Sequence, residues 1–83
     1  MRHPVIDVAA TGRNLKILCA KKGYTASDIK KQLGLGSSQA VYKWFAGSSL
    51  PSIDNLLILA ILLEVSVEDI LIINEVEDVN QSK

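Results

Sequence analysis

The side chains with the greatest capacity for chemistry in this 83-residue chain cluster in its middle. Ser37, Ser38, Gln39, Tyr42 and Lys43 bring two hydroxyls, a carboxamide, a phenol and an ammonium into seven consecutive positions, with Thr25 and Lys30 upstream. None of them is a nucleophile paired with a base. What they do well is exchange hydrogen bonds with a polar, negatively charged surface. A carboxamide can pair bidentately with an adenine edge, worth about 1–3 kcal/mol of discrimination. Hydroxyl and ammonium groups suit phosphate oxygens. The chemistry in reach is recognition of double-stranded DNA, with no bond made or broken.

Other chemistries find few parts. His3 and the single cysteine, Cys19, have no metal-ligand spacing around them. Asp7 lies near His3, but no paired carboxylates, phosphate-cradling glycine loop or nucleophile with a base is present. Neither an enzyme nor a resident cofactor or metal is expected. The longest apolar run, Leu56 to Leu63, is eight residues, against roughly 20 for a membrane span. With no secretory pattern at the start, a soluble cytoplasmic protein without membrane contact is expected.

The formal charge is zero, yet its distribution is lopsided. Residues 1–50 carry eight Lys and Arg against Asp7 and Asp28, a net +6, whereas residues 51–83 carry Lys83 against seven carboxylates, a net −6. One end can therefore face phosphates while the other stays acidic.

The elements that must position the central residues read as helices. Leu and Ile dominate a 48% apolar composition with only 5% aromatics, which favours an all-α domain. The expected division is an arm at 1–10, whose β-branched stretch Pro4 to Val8 reads as extended arm or short strand, a helical domain at 11–71 and a tail at 72–83, whose start at Ile72 and Ile73 is open between strand, helix and dimer contact. Thr11 is the expected N-cap of a first helix ending at Gly23, with Leu15, Leu18 and Cys19 inward. Thr25 and Asp28 have capping-box spacing for a second helix that Gly34 ends. Ser37 or Ser38 then caps a third helix to about Phe45, anchored by Val41 and Trp44. Ser52 caps a fourth, with Leu56, Leu57, Ala60 and Leu63 inward. Ser66 and Asp69 open a short fifth.

Two short helices joined by a tight turn, the second polar on its outer side, are what a major groove about 12 Å wide admits. The run from Gly23 to Gly34 resembles the entry to the helix-turn-helix of the Cro and lambda-repressor-type family. Ser38 to Gly47 is similar to its recognition helix, Leu50 to Leu57 to its next helix entry, and Val65 to Leu71 to its closing segment. The resemblance implies a five-helix lambda-repressor-like domain, a homodimer on a pseudo-palindromic operator, and a bacterial or phage transcriptional regulator acting as a repressor. It also implies a glutamine at the start of the second helix, where this chain has Ala26.

Ile58 and Ile61 fall outside the inward stripe of the fourth helix, and with Leu62 and Ile73 they form the expected dimer interface. The competing arrangement has Val5, Ile6 and Val8 fold back over them within one chain. The competing function is a protein-interaction module, an antitoxin-like adaptor whose acidic half grips a basic protein partner.

Overall fold

The computed structural model describes residues 2–77. It contains strand β1 (Arg2–Ile6), helices α1 (Val8–Lys21), α2 (Ala26–Leu33), α3 (Gln39–Ala46), α4 (Ile53–Leu63) and α5 (Val67–Ile70), and strand β2 (Ile73–Glu77). The five expected helices are present, and an antiparallel two-stranded sheet is added to them. None of the helices is long and apolar enough to cross a membrane.

Most helix starts are set by local side-chain caps. Thr25 and Asp28 form the reciprocal capping box of α2, and Ser66 and Asp69 form that of α5. Ser52 Oγ accepts the Asn55 N–H at 3.2 Å to open α4. In α1 the expectation fails. The cap is Asp7, whose Oδ1 accepts the Ala10 N–H at 2.9 Å, so Val8–Ala10 are the first helical turn and leave the arm. Thr11 is buried inside α1 instead, and its Oγ1 accepts the Ile72 N–H at 2.9 Å.

That bond is one of several holding the C-terminal segment to α1. Asn14 Nδ2 donates to the carbonyls of Asp69 and Ile70, at 2.8 and 3.0 Å. The Asp7 N–H donates to the Ile72 carbonyl at 2.8 Å, and Asn74 Nδ2 to Asp7 Oδ2 at 3.1 Å. From there the two ends of the chain run together as strands, in register from Ile6 opposite Ile73 to Arg2 opposite Glu77. Hydrogen-bonded pairs alternate along an antiparallel ladder. Counting from Asp7 and Ile72, Pro4 falls on a non-bonded pair, so its missing N–H faces the open edge, where proline is tolerated.

The core lies among the helices. Leu15, Cys19, Ile29, Val41, Leu59, Leu63 and Ile70 are almost fully buried, with Trp44 beside them. In α4 the inward residues are Leu59, Ala60 and Leu63, with Leu56 half-buried; Leu57, expected inward, is exposed. Burial pushes the Cys19 thiol up to about 11, so it is a small apolar core group at neutral pH.

Two glycines let α1 and α3 approach closely. A Cβ on Gly12 would lie 2.2 Å from the Trp44 carbonyl oxygen, and one on Gly47 would lie 2.6 Å from the Ala9 Cα. Both obstacles are backbone. Gly47 also has φ +77°, so it ends α3 in a conformation that side chains resist.

The capping carboxylates give the fold an acid-sensitive element. The Thr25 backbone N–H, then its hydroxyl, hold the Asp28 carboxyl below its usual pKa. The Ser66 N–H and hydroxyl do the same for Asp69, and the Ala10 N–H and Asn74 side chain for Asp7. A depressed folded pKa stabilises fully above the unfolded value, about 3.9, and that stabilisation is lost as pH falls through the folded pKa. The melting temperature is therefore expected to fall on acidification below about pH 4. Asp28→Asn should flatten that slope. An unchanged slope would show that the box does not titrate with folding.

Candidate nucleic-acid interface

Helix α2 leads through Gly34, Leu35, Gly36, Ser37 and Ser38 into α3. Gly34, with φ +69°, caps α2 with N–H bonds to the Lys30 and Lys31 carbonyls, and Leu35 packs back against the core. On α3, Val41 and Trp44 point into the core, with Ala40 and Phe45 half-buried beside them. The opposite face is then Gln39, Tyr42, Lys43 and Ala46, all exposed, with Tyr42 at 61%. At 100° per residue these four share one stripe. Buried Val41 and Trp44 fix the helix roll, so the stripe has one direction to face.

The approach to this helix is less tightly capped than the others. Ser38 occupies the cap position but makes no side-chain capping bond. Ser37 Oγ accepts the Gln39 N–H at a long 3.4 Å. The Ser37 side chain is exposed and that of Ser38 half-buried.

Thr25 sits at the start of α2, and both its donors are committed. Its N–H and its hydroxyl each donate to Asp28 Oδ2 at 2.9 Å. A phosphate at this helix start would meet the Ala26 and Ser27 N–H groups, which the helix itself leaves without partners. Lys30 lies in the second half of α2 and is half-buried, whereas Lys31 beside it is exposed. Ser37, Ser38, Gln39, Tyr42 and Lys43 therefore lie along one helix and its entry, with Thr25 and Lys30 on the bracing helix. Sequence reasoning overlooked Ala46 on the α3 stripe. The signal was available, since Gln39, Lys43 and Ala46 follow helical spacing.

The expected dimer residues lie elsewhere. Ile58 is 41% exposed, Ile61 77% and Ile73 50%, while Leu62 is half-buried and packs on the core. Ile53 and Leu57 add to the exposed apolar side chains of α4. Val5 and Ile6 do not shield Ile61 and Ile73. They pair with Asn74 and Ile73 in the sheet and are exposed themselves. Across α1 and α4, Lys22 Nζ pairs with Glu64 Oε2 at 3.2 Å, an exposed contact of small energetic weight.

A short bracing helix, a tight turn and a second helix rolled to expose its polar stripe define a helix-turn-helix. The helix-turn-helix family model matches residues 15–70, and the chain belongs to that family, in its Cro/C1-type branch. It is a DNA-binding regulator. Among solved structures, the restriction-modification controller protein C.AhdI from Aeromonas hydrophila is similar, with a TM-score of 0.68 and 25% identity, covering 77% of this chain and 96% of that one. No curated protein sequence matches the chain.

Proposed function

We propose that this chain is a homodimeric, sequence-specific repressor of transcription that reads the major groove of a pseudo-palindromic operator with α3. The observation carrying this reading is the exposed stripe of Gln39, Tyr42 and Lys43 on a helix whose roll is fixed by Val41 and Trp44. Gln39, in the first turn, takes a base edge, and Ser38 and Ser37 take the neighbouring base or phosphate. Tyr42 and Lys43 reach the flanking backbone. Thr25 fixes the start of α2 so that its first N–H groups meet a phosphate, and Lys30 adds charge behind it. The likeness to a restriction-modification controller protein supports a regulatory role.

Selection from a randomised duplex library tests this. The native chain should enrich an inverted repeat with half-sites about one helical turn apart. Gln39→Ala should lower affinity for the selected duplex by about 10- to 100-fold, and relax preference at one position in each half-site. Lys43→Ala should weaken all duplexes alike and reduce the salt dependence. Recovery without enrichment, or equal affinity of Gln39→Ala for the selected sequence, would overturn base reading by α3. Run-off transcription from a promoter overlapping the selected site then tests the sign of regulation, with reduced transcript expected.

A further inference from the structure

A hollow of about 530 Å³ opens between α1, the start of α2 and α3. Its walls include Lys16, Tyr24, Thr25, Ala26, Tyr42 and Phe45. The volume lies within the range of small-molecule sites, roughly 300–1,000 Å³. It exists partly because position 26 is a methyl group. A longer side chain there, such as the glutamine the family resemblance implies, would reach into it.

The lining specifies a chemistry. Tyr24, Tyr42 and Phe45 put three aromatic side chains in the wall, a composition suited to packing against a planar ring. Lys16 is the charged residue of the wall, and among the described residues it makes no ion pair. The unpartnered N–H groups at the first turn of α2 add positive potential at Ala26. Asp28 is not part of the wall, but its carboxylate accepts from the N–H and the hydroxyl of Thr25, which is, so Lys16 and the first-turn N–H groups stand against that one negative charge. A ring with one negative group matches both the walls and the charge.

We infer that this hollow binds a small planar aromatic anion, such as an aromatic carboxylate, and that the bound anion competes with DNA. The second half rests on the proposed DNA contacts, because Thr25 and Tyr42 belong to both surfaces and the anion would take the N–H groups offered to a phosphate. Binding would then release the protein from its operator, giving this small domain a control that needs no second domain.

Equilibrium dialysis of the native chain with 2-naphthoate and with its neutral amide, 2-naphthamide, tests the site without DNA. One saturable site is expected, with the acid bound at least about tenfold more tightly than the amide, since the charge-assisted contacts need the anion. Lys16→Met should remove that preference. Ala20→Leu, at an exposed α1 position lining the hollow, should weaken both probes while the helical circular dichroism stays native. Naphthoate should also displace the selected duplex over the concentration range in which it binds. Equal binding of acid and amide, no saturable binding, or indifference to Ala20→Leu would overturn the site. Binding without displacement of DNA would overturn the competition. If the native chain bound no duplex, the regulator reading would fail, and the DNA-free dialysis would still decide the hollow.

Discussion

Replacing Gly12 with alanine is expected to destabilise the domain by about 2–3 kcal/mol, although on an exposed helix the same change stabilises by up to about 1 kcal/mol. The reversed sign comes from where the new methyl must go. Its Cβ would lie 2.2 Å from the Trp44 carbonyl oxygen and 3.0 Å from both the Gly47 nitrogen and the Phe45 carbonyl oxygen. No side chain can rotate out of the way, because every obstacle is main chain. Relief requires α1 and α3 to move apart, and that movement loosens Leu15, Val41 and Trp44 together. Urea unfolding measures the loss as a lower midpoint at unchanged slope. Gly36→Ala is the control, since nothing lies within 4 Å of a Cβ there and its φ is not positive. The consequence reaches recognition, because the same contact seats the helix that carries Gln39 and Lys43. Native or raised stability of Gly12→Ala would mean that α1 and α3 do not touch there.

That contact also marks the limit of what neighbouring residues encode. Features written in neighbouring residues were legible. The boxes of Thr25 with Asp28 and Ser66 with Asp69, the Ser52 cap and the inward pair Val41 and Trp44 all follow from spacing within one turn. The polar stripe of α3 followed once that pair fixed the roll. Features decided by distant residues were not legible. Gly12 looks like a neutral position in a helix until α3 lies against it. Thr11 has the chemistry of an N-cap, but Asp7 captures the Ala10 N–H first, and the Thr11 hydroxyl is taken by Ile72 from the far end of the chain. The pairing of β1 with β2 joins segments almost a chain length apart, and no local pattern announces it. In α4 the fault was different. Residues 56 to 63 are all apolar, so there is no polar contrast to show the roll, and spacing alone puts Leu57 inward where the structure has Leu59. The hollow beside Tyr24 and Phe45 likewise needs three helices in place before it exists.

The roll of α4 leads to the second large effect. The double substitution Ile58→Lys, Ile61→Lys is expected to yield a folded monomer whose affinity for the selected duplex is lower by about 100-fold or more. Both residues are exposed, Ile61 at 77%, on the side of α4 away from Leu59 and Leu63. Lysine at Ile61 gives up little burial, and Ile58, 41% exposed, can keep its stem on the surface with the ammonium in water, so the thermal midpoint of the monomer should fall only modestly. In a dimer, the first half-site bound raises the effective concentration of the second, which multiplies affinity by about 10²–10⁴ without any new contact. Removing the partner forfeits that factor. The added lysines push in the opposite direction, since extra cations strengthen the sequence-independent attraction to phosphates. A loss seen despite them is therefore hard to attribute to charge. Sedimentation velocity gives the oligomeric state, and titration of selected and scrambled duplexes at one salt concentration gives the affinities. The expected pattern is a monomer that has lost most of its preference for the selected duplex. A variant that sediments as a dimer would show that Ile58 and Ile61 do not hold it together, and the sheet residues Val5 and Ile6, with Ile73 of the expected interface, would be the next apolar surface to change. A native chain that is itself monomeric at the concentrations where it binds would remove the tethering argument, and operator affinity would then have to come from α3 alone.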